Sequence, residues 1–166
     1  MSKSLYITGC PGAGKSTVGA LAARLLNLPF FDLDEMIAQM AGRPIPEIFA
    51  DQGEAGFRRA ERRALEASLT LPRAVFGTGG GILTHPGNWE RMDKGGVVVF
   101  LDRPLDLILG DIDPSGRPML AQRSLESLYR QRIDAYRACC HAVARNDTTL
   151  EEAAARVAAA YRGVIA

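Results

Sequence analysis

A glycine-rich segment near the amino terminus has the spacing of a phosphate-binding loop. It reads Gly9-Cys10-Pro11-Gly12-Ala13-Gly14-Lys15-Ser16 and fits the pattern GxxxxGK[ST], in which backbone N–H groups and a helix amino terminus surround phosphate oxygens. Lys15 would then reach the β- and γ-phosphates of a nucleotide, and the Ser16 hydroxyl would bind Mg²⁺. A glycine-rich turn is the alternative, but a strand predicted before the segment and a helix predicted after it favour the phosphate-binding loop.

Two carboxylates, those of Asp32 and Asp34, follow the second predicted strand. Ligands of open parallel sheets bind at the carboxyl ends of the strands, and both side chains could share one face. One carboxylate could complete a magnesium shell while the other accepts the proton of a phosphate-accepting hydroxyl. Capping of the helix that follows is the alternative for this pair.

Glycines and arginines supply the remaining candidates for ligand binding. Gly79-Gly80-Gly81 follows the third predicted strand, where missing side chains would let a ligand approach the main chain, although a flexible turn would have the same composition. Arg58 and Arg132 lie on predicted helices and could bind a carboxylate or simply face solvent. Arg117 lies in the aperiodic segment 110–123, where its guanidinium could cover the phosphates or have no ligand.

Alternating strand and helix patterns predict the framework that positions these residues. Apolar runs predict strands at 5–8, 30–33, 75–78 and 97–101, and helical periodicity predicts helices at 15–26, 57–69 and 125–138. Thr148 and Glu151 have the spacing of a capping box that would open a last helix. The pattern predicts a three-layer α/β/α fold with a central parallel sheet of about five strands.

Composition restricts the class of protein. The 166 residues suit a single domain, 1–166, and 20 basic against 19 acidic residues leave a net charge of +1, too small to hold nucleic acid or a membrane surface. The three cysteines, Cys10, Cys139 and Cys140, lack disulfide-framework or zinc spacing, and His85 and His141 lack metal-ligand spacing. With an amino terminus too short in apolar residues for a signal peptide, we expect a cytoplasmic protein.

The order of these motifs resembles the shikimate kinase family, over most of the chain. The resemblance rests on Gly9 to Thr17, Asp32-Leu33-Asp34, Gly42-Arg43, Ile48-Phe49, Gly53-Glu54, Phe57-Arg58-Arg59, Gly79-Gly80-Gly81, Arg117-Pro118-Met119-Leu120, and Arg132 four residues before Tyr136. It implies a P-loop fold of the nucleoside-triphosphatase type and transfer of the γ-phosphoryl of ATP to the 3-hydroxyl of shikimate, giving shikimate 3-phosphate in aromatic amino acid biosynthesis.

The resemblance also implies a role for each candidate residue. Catalysis would use Lys15, Asp34 and Arg117, and Mg²⁺ would be held by Ser16 and Asp32. The residues implied for ATP are Gly12, Ala13, Gly14, Lys15, Ser16, Thr17 and Arg117; those implied for shikimate are Asp34, Arg58, Gly79, Gly80, Gly81 and Arg132. Substrate-binding segment 32–60 and lid 111–123 would belong to the same domain, and we expect a monomer.

One departure from the family pattern bears on the nucleotide. A basic residue usually precedes the lid arginine by about seven positions, whereas this chain has Gly110 there, followed by Asp111 and Asp113. The composition of this segment predicts altered ATP affinity or lid closure. Two alternatives therefore stay open at this point: a related metabolite kinase such as a gluconate kinase, and a nucleotide-binding homologue with weak activity.

Overall fold

The computed structural model describes residues 3–111 and 119–166, and in 119–123 it describes the backbone alone. Five strands form one sheet: β1 Ser4–Thr8, β2 Phe30–Asp32, β3 Val75–Gly77, β4 Gly96–Asp102 and β5 Ala142–Arg145. In the described residues the helices are α1 Lys15–Leu26, α2 Leu33–Ala41, α3 Ile45–Ser68, α4 Asn88–Gly95, α5 Leu105–Gly110, α6 Met119–Ala138 and α7 Leu150–Ile165, with a short 3₁₀ turn at Ile82–Thr84.

All neighbouring strands are parallel, in the order β2-β3-β1-β4-β5. The predicted α/β sheet of about five strands is confirmed. The carboxyl ends of β1, β2 and β3 therefore meet at one edge, so the segments that follow them converge there. Among the described residues, no helix has both the length and the apolar character needed to cross a bilayer.

The strands are buried on both faces, which explains their nearly continuous apolar sequences. In β4, Val97 and Val99 pack with α1 and α7, whereas Val98 packs on the opposite face with Tyr6 and Phe76. All five side chains are fully buried. The two apolar clusters thus fix the sheet between helical layers and hold the strand ends in place.

The local predictions differ from the structure at four element boundaries. The last helix begins after Thr149, whose side chain accepts a hydrogen bond from the N–H of Glu152, so the capping box predicted at Thr148 was one residue early. The helix predicted over 57–69 belongs to α3, which starts at Ile45 and is broken by non-helical backbone at Gly53. Segment 110–123 is not wholly aperiodic, because α6 begins at Met119 and α5 extends to Gly110.

The position of the fifth strand was not predicted from the sequence. It covers Ala142–Arg145, where Val143 is exposed and the flanking positions are charged or small, so the segment lacks the apolar run of a central strand. It lies at the edge of the sheet against β4. An edge strand needs less apolar surface than a central one, which is why periodicity failed here.

Candidate active site

The loop between β1 and α1 has the backbone of a phosphate-binding turn. Gly12 and Gly14 have φ angles of 83° and 89°, in the left-handed region that residues with a Cβ rarely adopt. The N–H of Ala13 donates to the carbonyl of Cys10, which closes the turn. At the start of α1, the first N–H groups have no acceptor within the helix and are available to an anion.

Lys15 places its ammonium group over this loop. Its Nζ donates to the carbonyl oxygens of Gly9 and Cys10 at 2.7 and 2.8 Å. Burial lowers the pKa of Lys15 to about 8, although the neighbouring charges of Cys10, Asp34 and Asp32 favour the protonated form. The ammonium therefore lies between the loop and the carboxylates, where phosphate oxygens could replace the two carbonyls as its partners.

Asp32 caps α2 and also contacts Ser16. One carboxylate oxygen accepts the N–H of Asp34 at 2.8 Å and caps α2, while the other accepts the Ser16 hydroxyl at 2.6 Å. A hydroxyl and a carboxylate are oxygen donors of the kind that Mg²⁺ binds. The donor set fits the cation, and Ser16 and Asp32 would hold it.

Asp34 reaches the site from the first turn of α2. Asp32 and Asp34 line one cleft, but they do not do so as alternating residues of a strand, because β2 ends at Asp32 and Asp34 belongs to α2. Burial is the largest cause that raises the pKa of Asp34, and the charge of Asp32 adds to it, against the opposing charges of Lys15 and Arg58. Its Oδ1 atom is buried without a hydrogen-bond partner among the described residues, so one oxygen remains for a ligand.

These groups share one cleft of about 400 Å³ at the carboxyl edge of the sheet. Its walls are formed by the phosphate-binding loop, the two carboxylates and the segment that follows β3. The lining residues are Pro11, Gly12, Gly14, Lys15, Ser16, Thr17, Asp32, Asp34, Thr78, Gly79 and Gly80. Of the residues predicted to bind nucleotide, Ala13 alone among the described ones is fully buried and does not line the cleft.

A buried ion pair lies beside the cleft. Arg58 donates from Nη1 to Oε1 of Glu61 at 2.9 Å, and Glu61 is only 1% exposed. Burial raises the pKa of Glu61, while the hydrogen bond and charge of Arg58 lower it. Oε2 of Glu61 and Nε of Arg58 are buried without partners among the described residues. Arg58 therefore lies partly buried beside a carboxylate and is not on a solvent-facing helix surface.

The three consecutive glycines are required by protein neighbours. A Cβ on Gly79 would lie 3.0 Å from Oε2 of Glu61 and 3.1 Å from Oδ1 of Asp34, and one on Gly81 would overlap the Arg58 guanidinium. A Cβ on Gly80 would lie 2.7 Å from Cδ of Pro11. The missing side chains therefore let the loop, the carboxylates and the arginine pack together, and ligand binding by this segment stays a prediction.

Helix α6 brings Arg132 and Tyr136 to the same region. The Tyr136 hydroxyl donates to the carbonyl of Gly80, and its ring stacks on Phe100. The Arg132 side chain is half-buried, and its positive charge contributes to lowering the pKa of Lys15. Arg132 therefore contributes to the electrostatics of the cleft, and substrate binding by this residue stays a prediction. Arg117 and most of the predicted lid lie outside the described residues.

Three residues that support the candidate active site were not predicted from the sequence. Asn146 donates from Nδ2 to the carbonyl of Ala13 at 2.8 Å, and Arg103 donates to the carbonyl of Gly12 at 3.0 Å. Arg103 also pairs with Asp111 at 2.6 Å, so one acidic residue after Gly110 has a partner beside the loop. The third is Glu61, whose position three residues after Arg58 in one helix indicates only a local ion pair. A polar residue directly after an edge strand, as Asn146 is, would have been the signal for the first.

The fold and cleft define a P-loop protein of the phosphotransferase type. A family model described as "Shikimate kinase" matches residues 11–162. A shikimate kinase of Clostridium botulinum is 38% identical over 154 residues, covering 92% of this chain and 93% of the relative. The chain belongs to the shikimate kinase family, whose members are ATP-dependent kinases that act on an alcohol group.

Solved structures agree with this assignment. A structure described as shikimate kinase from Acinetobacter baumannii in complex with shikimate superposes with a TM-score of 0.86 at 31% identity, covering 99% of this chain and 94% of that one. A gluconokinase from Sinorhizobium meliloti superposes with a TM-score of 0.60 at 17% identity, covering 98% and 93%. The second likeness shows a shared fold alone.

Proposed function

We propose that this protein transfers the γ-phosphoryl group of ATP to the 3-hydroxyl of shikimate. The observation that carries the proposal is the convergence of the Lys15 ammonium and the Asp34 carboxylate in one cleft at the end of the phosphate-binding loop. Phosphoryl transfer requires chiefly that donor and acceptor be positioned in line and that developing charge be neutralised. A cation on the loop and a carboxylate facing it supply both functions.

On the nucleotide side, the loop amides and Lys15 hold the phosphates. Gly12, Gly14 and Thr17 line the cleft next to Lys15. When Mg²⁺ is bound, it neutralises charge on the β- and γ-phosphate oxygens, and Ser16 and Asp32 are its protein ligands in this proposal. Ala13 contributes as part of the turn. Arg117, from lid 111–123, covers the phosphates and stabilises charge in the transition state.

On the acceptor side, Asp34 orients the hydroxyl and takes its proton as the bond to phosphorus forms. Its raised pKa suits this role, because a stronger base accepts a proton more readily. Arg58 and Arg132 bind the carboxylate of shikimate, since charge-assisted hydrogen bonds from guanidinium groups suit carboxylates. Gly79, Gly80 and Gly81 provide main-chain groups against which the ring lies, beside substrate-binding segment 32–60.

A coupled ADP-release assay tests the proposal. With Mg-ATP, shikimate should support turnover, and the product should be heavier than shikimate by one phosphoryl group. Gluconate serves as the rival acceptor and should support no comparable turnover. Lys15→Ala should abolish turnover with little change in shikimate affinity, and Asp34→Asn should abolish turnover with nucleotide binding retained. Gluconate-dependent turnover without shikimate-dependent turnover would replace this proposal with a gluconate kinase, and nucleotide binding without turnover would indicate a weakly active homologue.

The proposal includes the setting in which the enzyme works. We infer a single-domain monomer in the cytoplasm that meets a small-molecule substrate and neither nucleic acid nor a membrane. The net charge of +1 supports the absence of a polyanion partner. Sedimentation of the purified protein at the mass of one 17.9 kDa chain would agree with the monomer.

A further inference from the structure

A second cavity lies at the edge of the sheet opposite the active-site cleft. Its volume is about 670 Å³, within the usual range for small-molecule sites. It is bounded by residues directly before or at the starts of β1 and β4, Lys3, Ser4 and Gly95, and by Arg73, two residues before β3. The five-residue strand β1 thus has this cavity at one end and the phosphate-binding loop at the other.

Of the residues that the structure describes, three cations and no carboxylate line this cavity. Lys3, Arg73 and Lys94 contribute the charges, and none of them forms an ion pair within the part of the chain that the structure describes. The sequence contains 17 arginines and only three lysines, and the third lysine, Lys15, is in the phosphate-binding loop. Both remaining lysines therefore border one cavity.

Helix capping does not account for these cations. Helices α3 and α4 end at the cavity, and each carboxyl end carries roughly half a negative charge, so the two offset about one of the three positive charges. At the end of α3, the carbonyls of Glu66, Ala67 and Ser68 already accept the N–H groups of Leu69, Thr70 and Leu71, respectively. A net charge of about +2 remains facing the cavity.

Arg73 is held in place but lacks a partner. Its guanidinium lies 5.8 Å from the ring centroid of Tyr161, and the Tyr161 hydroxyl donates to the carbonyl of Lys3. Nε of Arg73 is buried without an acceptor among the described residues. Because Nε is buried, an anion in the cavity would pair with the terminal guanidinium nitrogens of Arg73, and charge-assisted hydrogen bonds of this kind are among the strong ones.

We propose that this cavity binds a small anion of charge −2 or more, through the guanidinium of Arg73 and the ammonium groups of Lys3 and Lys94. Phosphate and carboxylate groups share the required chemistry, because both present several oxygens to a guanidinium fork. The site is independent of the proposed kinase activity.

Calorimetric titration with inorganic pyrophosphate and, separately, with citrate tests this site. The active site is first saturated with a non-hydrolysable ATP analogue and shikimate without added Mg²⁺, because both probes chelate that cation. Binding of pyrophosphate alone assigns the site to phosphates, binding of citrate alone assigns it to polycarboxylates, and binding of both assigns it to either group. Heat from neither probe at millimolar concentration overturns the proposal.

Variants locate the binding. Lys3→Gln/Lys94→Gln should weaken it at least tenfold, whereas the matched control Arg24→Gln/Arg130→Gln, which removes two exposed arginines elsewhere, should change it less than twofold. Arg73→Lys, which keeps the charge but removes the guanidinium fork, should also weaken it. Lys15→Ala should lose nucleotide binding but keep this site, which separates the two proposals. Equal affinity in the two double variants would place the anion elsewhere and refute the site.

Discussion

Arg58 and Glu61 form an ion pair of 2.9 Å one helical turn apart, with Glu61 almost completely buried and Arg58 only 15% exposed. The pair lies against Gly79 and Gly81, which have no side chains to displace it. A buried carboxylate that loses its cation is strongly destabilised. Arg58 therefore has a structural role in addition to its proposed contact with the substrate.

Arg58→Ala should lower the free energy of unfolding by about 3 kcal/mol near pH 8, because Glu61 would remain buried and charged without a partner. The pKa of Glu61 is already raised by burial, and loss of Arg58 should raise it further. When a carboxyl group has a higher pKa in the folded than in the unfolded state, stability is lost as the pH rises from the unfolded-state pKa through the folded-state pKa. The deficit should therefore shrink near pH 5. Urea unfolding at both pH values measures it.

The double variant Arg58→Ala/Glu61→Gln controls for this interpretation. Removing the carboxylate charge should restore most of the lost stability at pH 8, while shikimate affinity stays low because Arg58 is missing. A double variant no more stable than Arg58→Ala would indicate that lost packing by the arginine causes the effect.

Arg132→Ala should weaken shikimate binding about tenfold to a hundredfold, corresponding to the roughly 1.5–3 kcal/mol of a hydrogen bond to a charged group. Nucleotide affinity should change little, because removing this positive charge favours the protonated Lys15. Titration calorimetry with shikimate and with Mg-ADP separates the two effects. Arg130→Ala, two positions away on the exposed face of α6, is the control. Equal weakening of both ligands by Arg132→Ala would contradict the assigned role.

The affinity of the free protein for ADP should fall as pH rises through about 8. Burial lowers the pKa of Lys15 to about 8, so the ammonium that contacts phosphate loses its proton above that value. Binding should be nearly constant between pH 7 and 7.5 and decline toward pH 9.5. In Lys15→Arg the decline should disappear, because a guanidinium stays charged in this range. An unchanged pH profile in that variant would show that another group titrates.

Asn146→Ala should raise the KM for ATP about twofold to tenfold, since a typical hydrogen bond contributes about 0.5–1.5 kcal/mol. The amide donates to the carbonyl of Ala13 and is 3.0 Å from the position that a Cβ on Gly14 would take, so it supports the turn from behind. The KM for shikimate should not change. Steady-state kinetics with each substrate varied would check this split. A change confined to thermal stability would mean that Asn146 supports the fold and leaves the turn unaffected.

The predictable part of the site was local in sequence. The loop from Gly9 to Ser16 was recognised because its residues are contiguous and its flanking strand and helix have clear periodicity. Asp32 and Asp34 were recognised, but their geometry was not, because the strand ends one residue earlier than its apolar pattern suggests. The residue at which a strand ends and a helix begins depends on which side chain caps the helix, and sequence spacing alone does not decide that.

The unpredicted part depends on contacts between distant segments. Asn146 is 133 residues from the carbonyl that it supports, and it reaches the loop only because β5 pairs with β4 at the edge of the sheet. Glu61 lies three residues after Arg58, a spacing that indicates only a local ion pair, and its burial against the glycine segment cannot be read from one helix. Both contacts arise from packing between segments that are distant in sequence, and local propensity carries no information about such packing.

The most direct test of the central claim is a crystal structure of the protein with Mg-ADP and shikimate. The account predicts the diphosphate within the turn from Gly9 to Lys15, the shikimate 3-hydroxyl at hydrogen-bond distance from Asp34, and the shikimate carboxylate between Arg58 and Arg132. A shikimate ring away from Asp34 and these arginines, or a diphosphate bound outside the turn, would contradict it.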